Sequence, residues 1–216
     1  MSLTPSASQI DLPAWKSLAA WRRLVIIFVV VTSIDLATKA WAFHSVAGVP
    51  VVLDRETILH DTWYRLPAHA GVEVLPWGLL DFRLVLNHGA VFGIGQGSRM
   101  TFILFTIAAT TAALLLFARG TRASMRPAHC AIALILAGGL GNLFDRMQYG
   151  AVRDFMYMLP GWNLPLGWQW PGCETSEVFP WIFNVADMSL LAGMALFIWG
   201  SWNADKVAAQ TSKHAA

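Results

Sequence analysis

Asp154 and Asp187 stand 33 residues apart in a 216-residue chain that has only 13 acidic side chains. Two carboxylates brought together share one proton, because their repulsion splits the two titrations. One then stays ionised and activates water, and the other stays protonated and polarises a carbonyl. That is aspartyl-protease chemistry. The same acids, with Asp145, also suit a divalent cation, so residue type alone leaves both chemistries open. Other polar residues recur near them. Asp35 and Lys39 have i, i+4 spacing with the acid first, which suits either an ion pair on one helix face or a substrate contact. Asn142 and Asn184 suit interhelical hydrogen bonds. Asp145 and Arg146 suit either a site role or an interfacial charge pair that ends a helix. His44, His60, His69 and His88 show no metal-ligand spacing and read as surface or interface residues.

The elements that must position these groups follow from composition. The chain is 56% hydrophobic and 13% charged, with eleven Trp and twelve Phe. Soluble domains carry about 25% charged residues, so a disordered chain is excluded and a soluble enzyme is disfavoured. A net charge of +2 is too small to suggest a nucleic-acid partner. Two Cys are too few for a disulfide scaffold. Four stretches are long and apolar enough to span a bilayer, at about 24–43, 100–118, 128–146 and 181–202. A signal peptide is the rival reading of the first, but Asp35 and Lys39 sit where a cleavage region is neutral. The segment LLDFRLVLN alternates as a half-buried strand, with Leu80, Phe82, Leu84 and Leu86 on one face.

Orientation follows from Lys and Arg. Lys16, Arg22 and Arg23 precede the first span, Arg119, Arg122 and Arg126 lie between the second and third, and Lys206 and Lys213 end the chain. These segments are expected on the cytoplasmic side. The outer connections hold most of the acids. Asp35, Lys39, Asn87, Asn142, Asp145, Arg146, Asp154, Asn184 and Asp187 then all fall at the outer boundary, as one outward-facing site at the rim of a four-helix bundle. Cys130 and Cys173 fall on opposite sides, so no disulfide joins them. A serine protease is disfavoured, on the reading that no His within a span pairs with Ser33 or Ser189. A small transporter or assembly factor would need polar groups at mid-membrane or on both faces.

Five blocks carry a resemblance: DLATK (Asp35 to Lys39), NHGAVFG (Asn87 to Gly93), GGLGNLFDR (Gly138 to Arg146), VRDF (Val152 to Phe155) and FNVAD (Phe183 to Asp187). In this order the chain resembles the lipoprotein signal peptidases, or signal peptidase II. The resemblance implies an α-helical integral membrane protein, a bundle of four transmembrane helices with a small extracytoplasmic β-cradle, forming a single domain over 1–216. It implies an aspartyl endopeptidase of the bacterial inner membrane that cuts diacylglyceryl-modified prolipoproteins before the lipid-modified cysteine. The catalytic pair carries over to Asp154 and Asp187. Asp35, Lys39, Asn87, Gly89, Asn142, Asp145, Arg146 and Asn184 carry over as substrate-binding or supporting residues. No cofactor or metal is implied, and the partners are the prolipoprotein and membrane lipids, with the enzyme a monomer. The chain departs from the family pattern in two places. Arg153 replaces an apolar residue and is expected to point to water. The Trp-rich run Gly161 to Trp181 is longer than usual, and suits either a lid or a rest on the headgroups.

Overall fold

The computed structural model describes residues 11–61, 64–89 and 99–215. In chain order its main elements are α1 (Leu18–Ser45), α2 (Arg55–His60), β1 (Val72–Leu75), β2 (Leu80–Asn87), α3 (Arg99–Leu115, prolonged by a π-helical turn Leu116–Gly120), α4 (Arg126–Gln148), β3 (Val152–Met158), β4 (Ile182–Phe183) and α5 (Val185–Ala215). Among the described residues four helices are long and apolar enough to cross a membrane, over Leu18–Ser45, Met100–Gly120, Arg126–Gln148 and Val185–Asn203. They are the four expected from the sequence, with the largest shifts at two of the helix starts. The first helix starts earlier, at the point where the Ser17 side chain accepts the amide of Ala20 at 3.2 Å. The fourth starts later, because Ile182 and Phe183 pair with β3 before the helix begins.

The helix α4 packs against α1, α3 and α5. Small residues make this possible. A Cβ on Gly138 would meet Ser189 Oγ at 2.6 Å and the carbonyl of Ala186, and one on Gly141 would meet Asp35 Oδ2 at 2.5 Å. Both glycines sit where α4 touches a neighbour's backbone or carboxylate, the close approach that small residues permit between membrane helices. Gly139, beside them in the chain, is different. Its Cβ would meet only Thr106 Cγ2, at an ordinary 3.7 Å.

The four strands form one antiparallel sheet in the order β1-β2-β3-β4. This is the small cradle expected around residues 79–87. Leu84 and Phe155 bury against Ala42, Phe43 and Val46 at the end of α1, with Phe82 and Leu86 beside them. That apolar contact fixes the sheet over one end of the bundle. At the other end, Ala14, Ala20, Leu24, Phe117 and Ile132 form a second cluster. A clamp that the sequence does not announce closes it: Ala14 N donates to Thr121 O at 2.9 Å, and Ala123 N to Leu12 O at 2.8 Å. Cys130 and Cys173 are both free.

Candidate active site

The helix α5 begins with a reciprocal cap. Asn184 Oδ1 accepts from the Asp187 amide at 3.0 Å, and Asp187 Oδ2 accepts from the Asn184 amide at 3.1 Å. This is the capping-box arrangement, with Asp in the place usually held by Glu or Gln. It holds the Asp187 carboxylate at the positive end of the helix dipole. The next amide, Ala186 N, is capped from another helix, since Asp35 Oδ1 accepts it at 2.8 Å. Asp35 is therefore a buried cap that ties α1 to α5, and it does not reach out as a substrate contact.

Asp154 comes from β3. A bulge in β2 between Phe82 and Val85 shifts the register by one, so Val85 faces Asp154 and Asn87 faces Val152. Asn87 thereby sits diagonally across from Asp154, on the same face of the pair. Asn87 Nδ2 donates to Asp154 Oδ2 at 3.1 Å, and Asn184 Nδ2 donates to Asp154 Oδ1 at 2.5 Å. Asn142 Nδ2 donates to Asp187 Oδ1 at 2.8 Å, and Asn184 Nδ2 also reaches Asn142 Oδ1 at 3.2 Å. One residue, Asn184, thus touches both carboxylates.

The three amides have no choice of orientation. The carbonyl side of Asn87 accepts from Gly89 N at 2.9 Å, that of Asn184 from Asp187 N, and that of Asn142 from Lys39 Nζ at 2.9 Å. Each of these partners can only donate, so each Asn must present its NH2 to an aspartate. These donors favour the ionised carboxylate. Burial opposes them. Asp154 is 1% exposed, and its carboxyl is pushed up to about 8, first by burial and then by repulsion from Asp187, against the pull of Asn87 and Asn184. The arrangement suits a pair that holds one proton.

Lys39 is fully buried and bonds Asp35 Oδ2 at 2.8 Å, with Asp145 Oδ2 at 3.5 Å. The i, i+4 pair read from the sequence is present. Arg146 donates to the carbonyl of Gly89 and, at 3.4 Å, to that of Asn142, and its guanidinium lies over the Phe102 ring. Gly89 therefore acts through its backbone, binding Asn87 with its N–H and Arg146 with its carbonyl. Ala90 to Gly93 of the NHGAVFG block lie outside the described residues.

Comparison with known proteins places the chain in a family. A family model described as Signal peptidase (SPase) II matches residues 27–203. The lipoprotein signal peptidase of Methylobacterium radiotolerans is 33% identical over 159 residues, covering 69% of this chain and 82% of that protein. That of Syntrophotalea carbinolica is 28% identical over 190 residues, covering 86% and 94%. A solved bacterial membrane enzyme, determined by the in meso method at 2.3 Å, aligns with a TM-score of 0.61 at 25% identity, covering 90% of this chain and 93% of its own.

The chain belongs to the signal peptidase II family. It is a peptidase with several membrane-spanning helices. Against the usual pattern of signal peptidase II, Arg153 corrects the sequence reading. It does not point to water. It is 5% exposed and grips Asp145, with Nη2 to Oδ1 at 2.8 Å and its own amide to Oδ2 at 3.0 Å. Neighbouring strand residues face opposite sides, and both sides of β3 are covered here, so Arg153 turns away from the face that carries Asp154 and into α4. Asp145 spans Arg153 and Lys39. A second correction concerns His129. It lies inside α4, so a His does lie within a span, but its ring is bonded to neither Ser33 nor Ser189. Its ring meets Arg23 Nη2 and Thr121 Oγ1, each at 3.2 Å, at the end of the helix away from the aspartates, while Ser189 Oγ donates to Ala186 O. His69 is more than a surface residue: its Nε2 accepts the Leu84 amide at 2.9 Å and so braces β2.

The long segment after β3 folds back on itself. Leu164 N donates to Ser176 O at 2.7 Å and Val178 N to Trp162 O at 2.8 Å, and Tyr157 Oη donates to Glu177 at 2.5 Å. Phe179, Trp181 and Phe183 stack edge to face along its return. Leu166 and Trp168 stand exposed on the excursion.

Proposed function

We propose that this signal peptidase II homologue is an aspartyl endopeptidase of the bacterial inner membrane. It removes the signal peptide from diacylglyceryl-modified prolipoproteins by cutting before the lipid-modified cysteine. The observation that carries the reading is the pair of buried aspartates joined through Asn184, each accepting from the NH2 group of an asparagine. Burial and mutual repulsion keep one proton on the pair. The ionised member takes a proton from water as the water oxygen bonds to the scissile carbonyl carbon. The protonated member gives its proton to the carbonyl oxygen, forming a neutral tetrahedral diol. That diol collapses as the amide nitrogen is protonated and the C–N bond breaks. The products are a signal peptide ending in a carboxylate and a lipoprotein with a free cysteine amine.

The substrate arrives from within the bilayer, since both its lipid and its signal helix are apolar. Asp154 and Asp187 lie on the sheet-covered end of the bundle, and the Lys/Arg distribution supports an outer face for that end. Both termini are then cytoplasmic, and the whole chain works as one domain and one monomer. The test is cleavage of a diacylglyceryl-modified precursor by the purified protein, beside the same precursor without its lipid, with and without a chelator. The expected result is cleavage before the modified cysteine, far slower without the lipid and unchanged by the chelator. Equal rates for both precursors, or loss of activity with the chelator, would overturn the reading.

A further inference from the structure

The end of the bundle opposite the aspartates contains a groove of about 470 Å³, within the range of about 300–1,000 Å³ usual for ligand sites. Its walls include Leu116, Gly120, Pro127, Ala128, Phe197 and Gly200. It forms where the far ends of α3 and α5 spread apart over the start of α4. The π-helical turn Leu116–Gly120 widens one wall. At Gly200 on the opposite wall, an added Cβ would meet nothing within 4 Å.

The rim is basic. Arg119 adjoins Gly120, and Arg126 lies between the lining residues Met125 and Pro127; both side chains are exposed. Arg122 is also close, but its guanidinium donates to the carbonyl of Asp11, whose carboxylate accepts from Ser124. The first turn of α4 borders the groove too, but it offers little to an anion, since Arg126 N donates to Ser124 O at 2.8 Å, His129 N to Met125 O at 3.2 Å, and Pro127 has no N–H. An apolar slot flanked by two exposed guanidiniums makes up the complement of a phosphate attached to an acyl chain.

We propose that this groove binds one anionic phospholipid of the surrounding bilayer, the acyl chain in the slot and the phosphate against Arg119 and Arg126. The site is separate from the aspartates, and nothing in the peptidase reading requires it. The test is native mass spectrometry of the purified protein, with phosphatidylglycerol or phosphatidylcholine added in equal amounts. The wild type should retain one phosphatidylglycerol in preference to phosphatidylcholine. Each of Arg119→Ala and Arg126→Ala should cut that preference by about fivefold, while Arg65→Ala, an exposed arginine at the other end of the molecule, should leave it unchanged. Gly200→Leu projects into open space and should reduce retention of both lipids, with thermal stability and peptidase activity unaltered. Equal retention of the two lipids by the wild type, or full retention by the arginine variants, would overturn the proposal. So would a dimer that forms in place of the lipid complex, since a second copy would then be what covers the groove.

Discussion

Lys39 acts on the aspartates through Asn142. Its ammonium fixes the amide that donates to Asp187, and its charge draws Asp154 toward the ionised form. Lys39→Ala should therefore slow cleavage by about 10²-fold, the usual cost of a small misplacement of a reacting group, and leave measurable turnover. The pH profile separates this from simple unfolding. With Asp154 near 8, the pair loses its last proton as pH rises through about 8, so activity should fall on that side. The limbs of the profile belong to the pair and not to either residue. Removing the Lys39 charge favours the protonated form, so the alkaline limb of Lys39→Ala should move to higher pH. A limb that stays in place would leave Lys39 with a packing role only. Asp145 calls for a different measurement. It neutralises the buried Arg153 and Lys39, and breaking a buried ion pair costs about 3–5 kcal/mol. Asp145→Asn should lower the melting temperature sharply, and an unchanged melting temperature would contradict that role.

At the scale of elements, α4 positions everything else. Its glycines let α1 and α5 bring Lys39 and Asp187 to within bonding distance of Asn142. Gly138→Ala and Gly141→Ala should each depress both activity and melting temperature, since the new methyl meets a backbone carbonyl, a hydroxyl or a carboxylate. Gly139→Ala should be tolerated. Equal damage from all three would mean that helix propensity rather than contact governs the segment. Much at this scale was legible in the sequence. The spans stand out as apolar runs, the strand at 80–87 as alternation, and the acid, Lys and Asn positions as polar groups in costly surroundings. The burial of Arg153 was not legible, because alternation along VRDF says which residues share a face but not what covers the opposite face. The capping box at Asn184 and Asp187 was readable in principle, as Asn followed three residues later by an acid at a helix start. The β2 bulge that sets Asn87 across from Asp154 leaves no mark in the residue pattern.

At the scale of the whole molecule, the two ends of the bundle differ in kind. One carries the sheet, the carboxylates and the aromatic excursion. The other carries Arg119, Arg122 and Arg126 and the backbone clamp between residues 12–14 and 121–123. That clamp pairs segments more than 100 residues apart, and so could not be read from local pattern. If the Lys/Arg distribution sets orientation, a membrane-impermeant thiol reagent should reach Cys173 in cells with a permeabilised outer membrane. It should not reach the introduced thiol of Ser212→Cys in the same cells. Labelling at position 212 would reverse the topology and put the aspartates on the wrong side for an exported substrate.

The central claim is that Asp154 and Asp187 work as one unit, and single and double substitution tests it most directly. General acid–base groups contribute roughly 10²–10⁴-fold, and members of one unit are not additive. Cleavage of a diacylglyceryl-modified precursor should be measured with purified Asp154→Asn, Asp187→Asn and the double variant, each first shown to be folded. The account predicts that each single variant loses measurable cleavage and that the double variant is no worse than either. A folded Asp154→Asn or Asp187→Asn protein that cleaves at near the wild-type rate would contradict it.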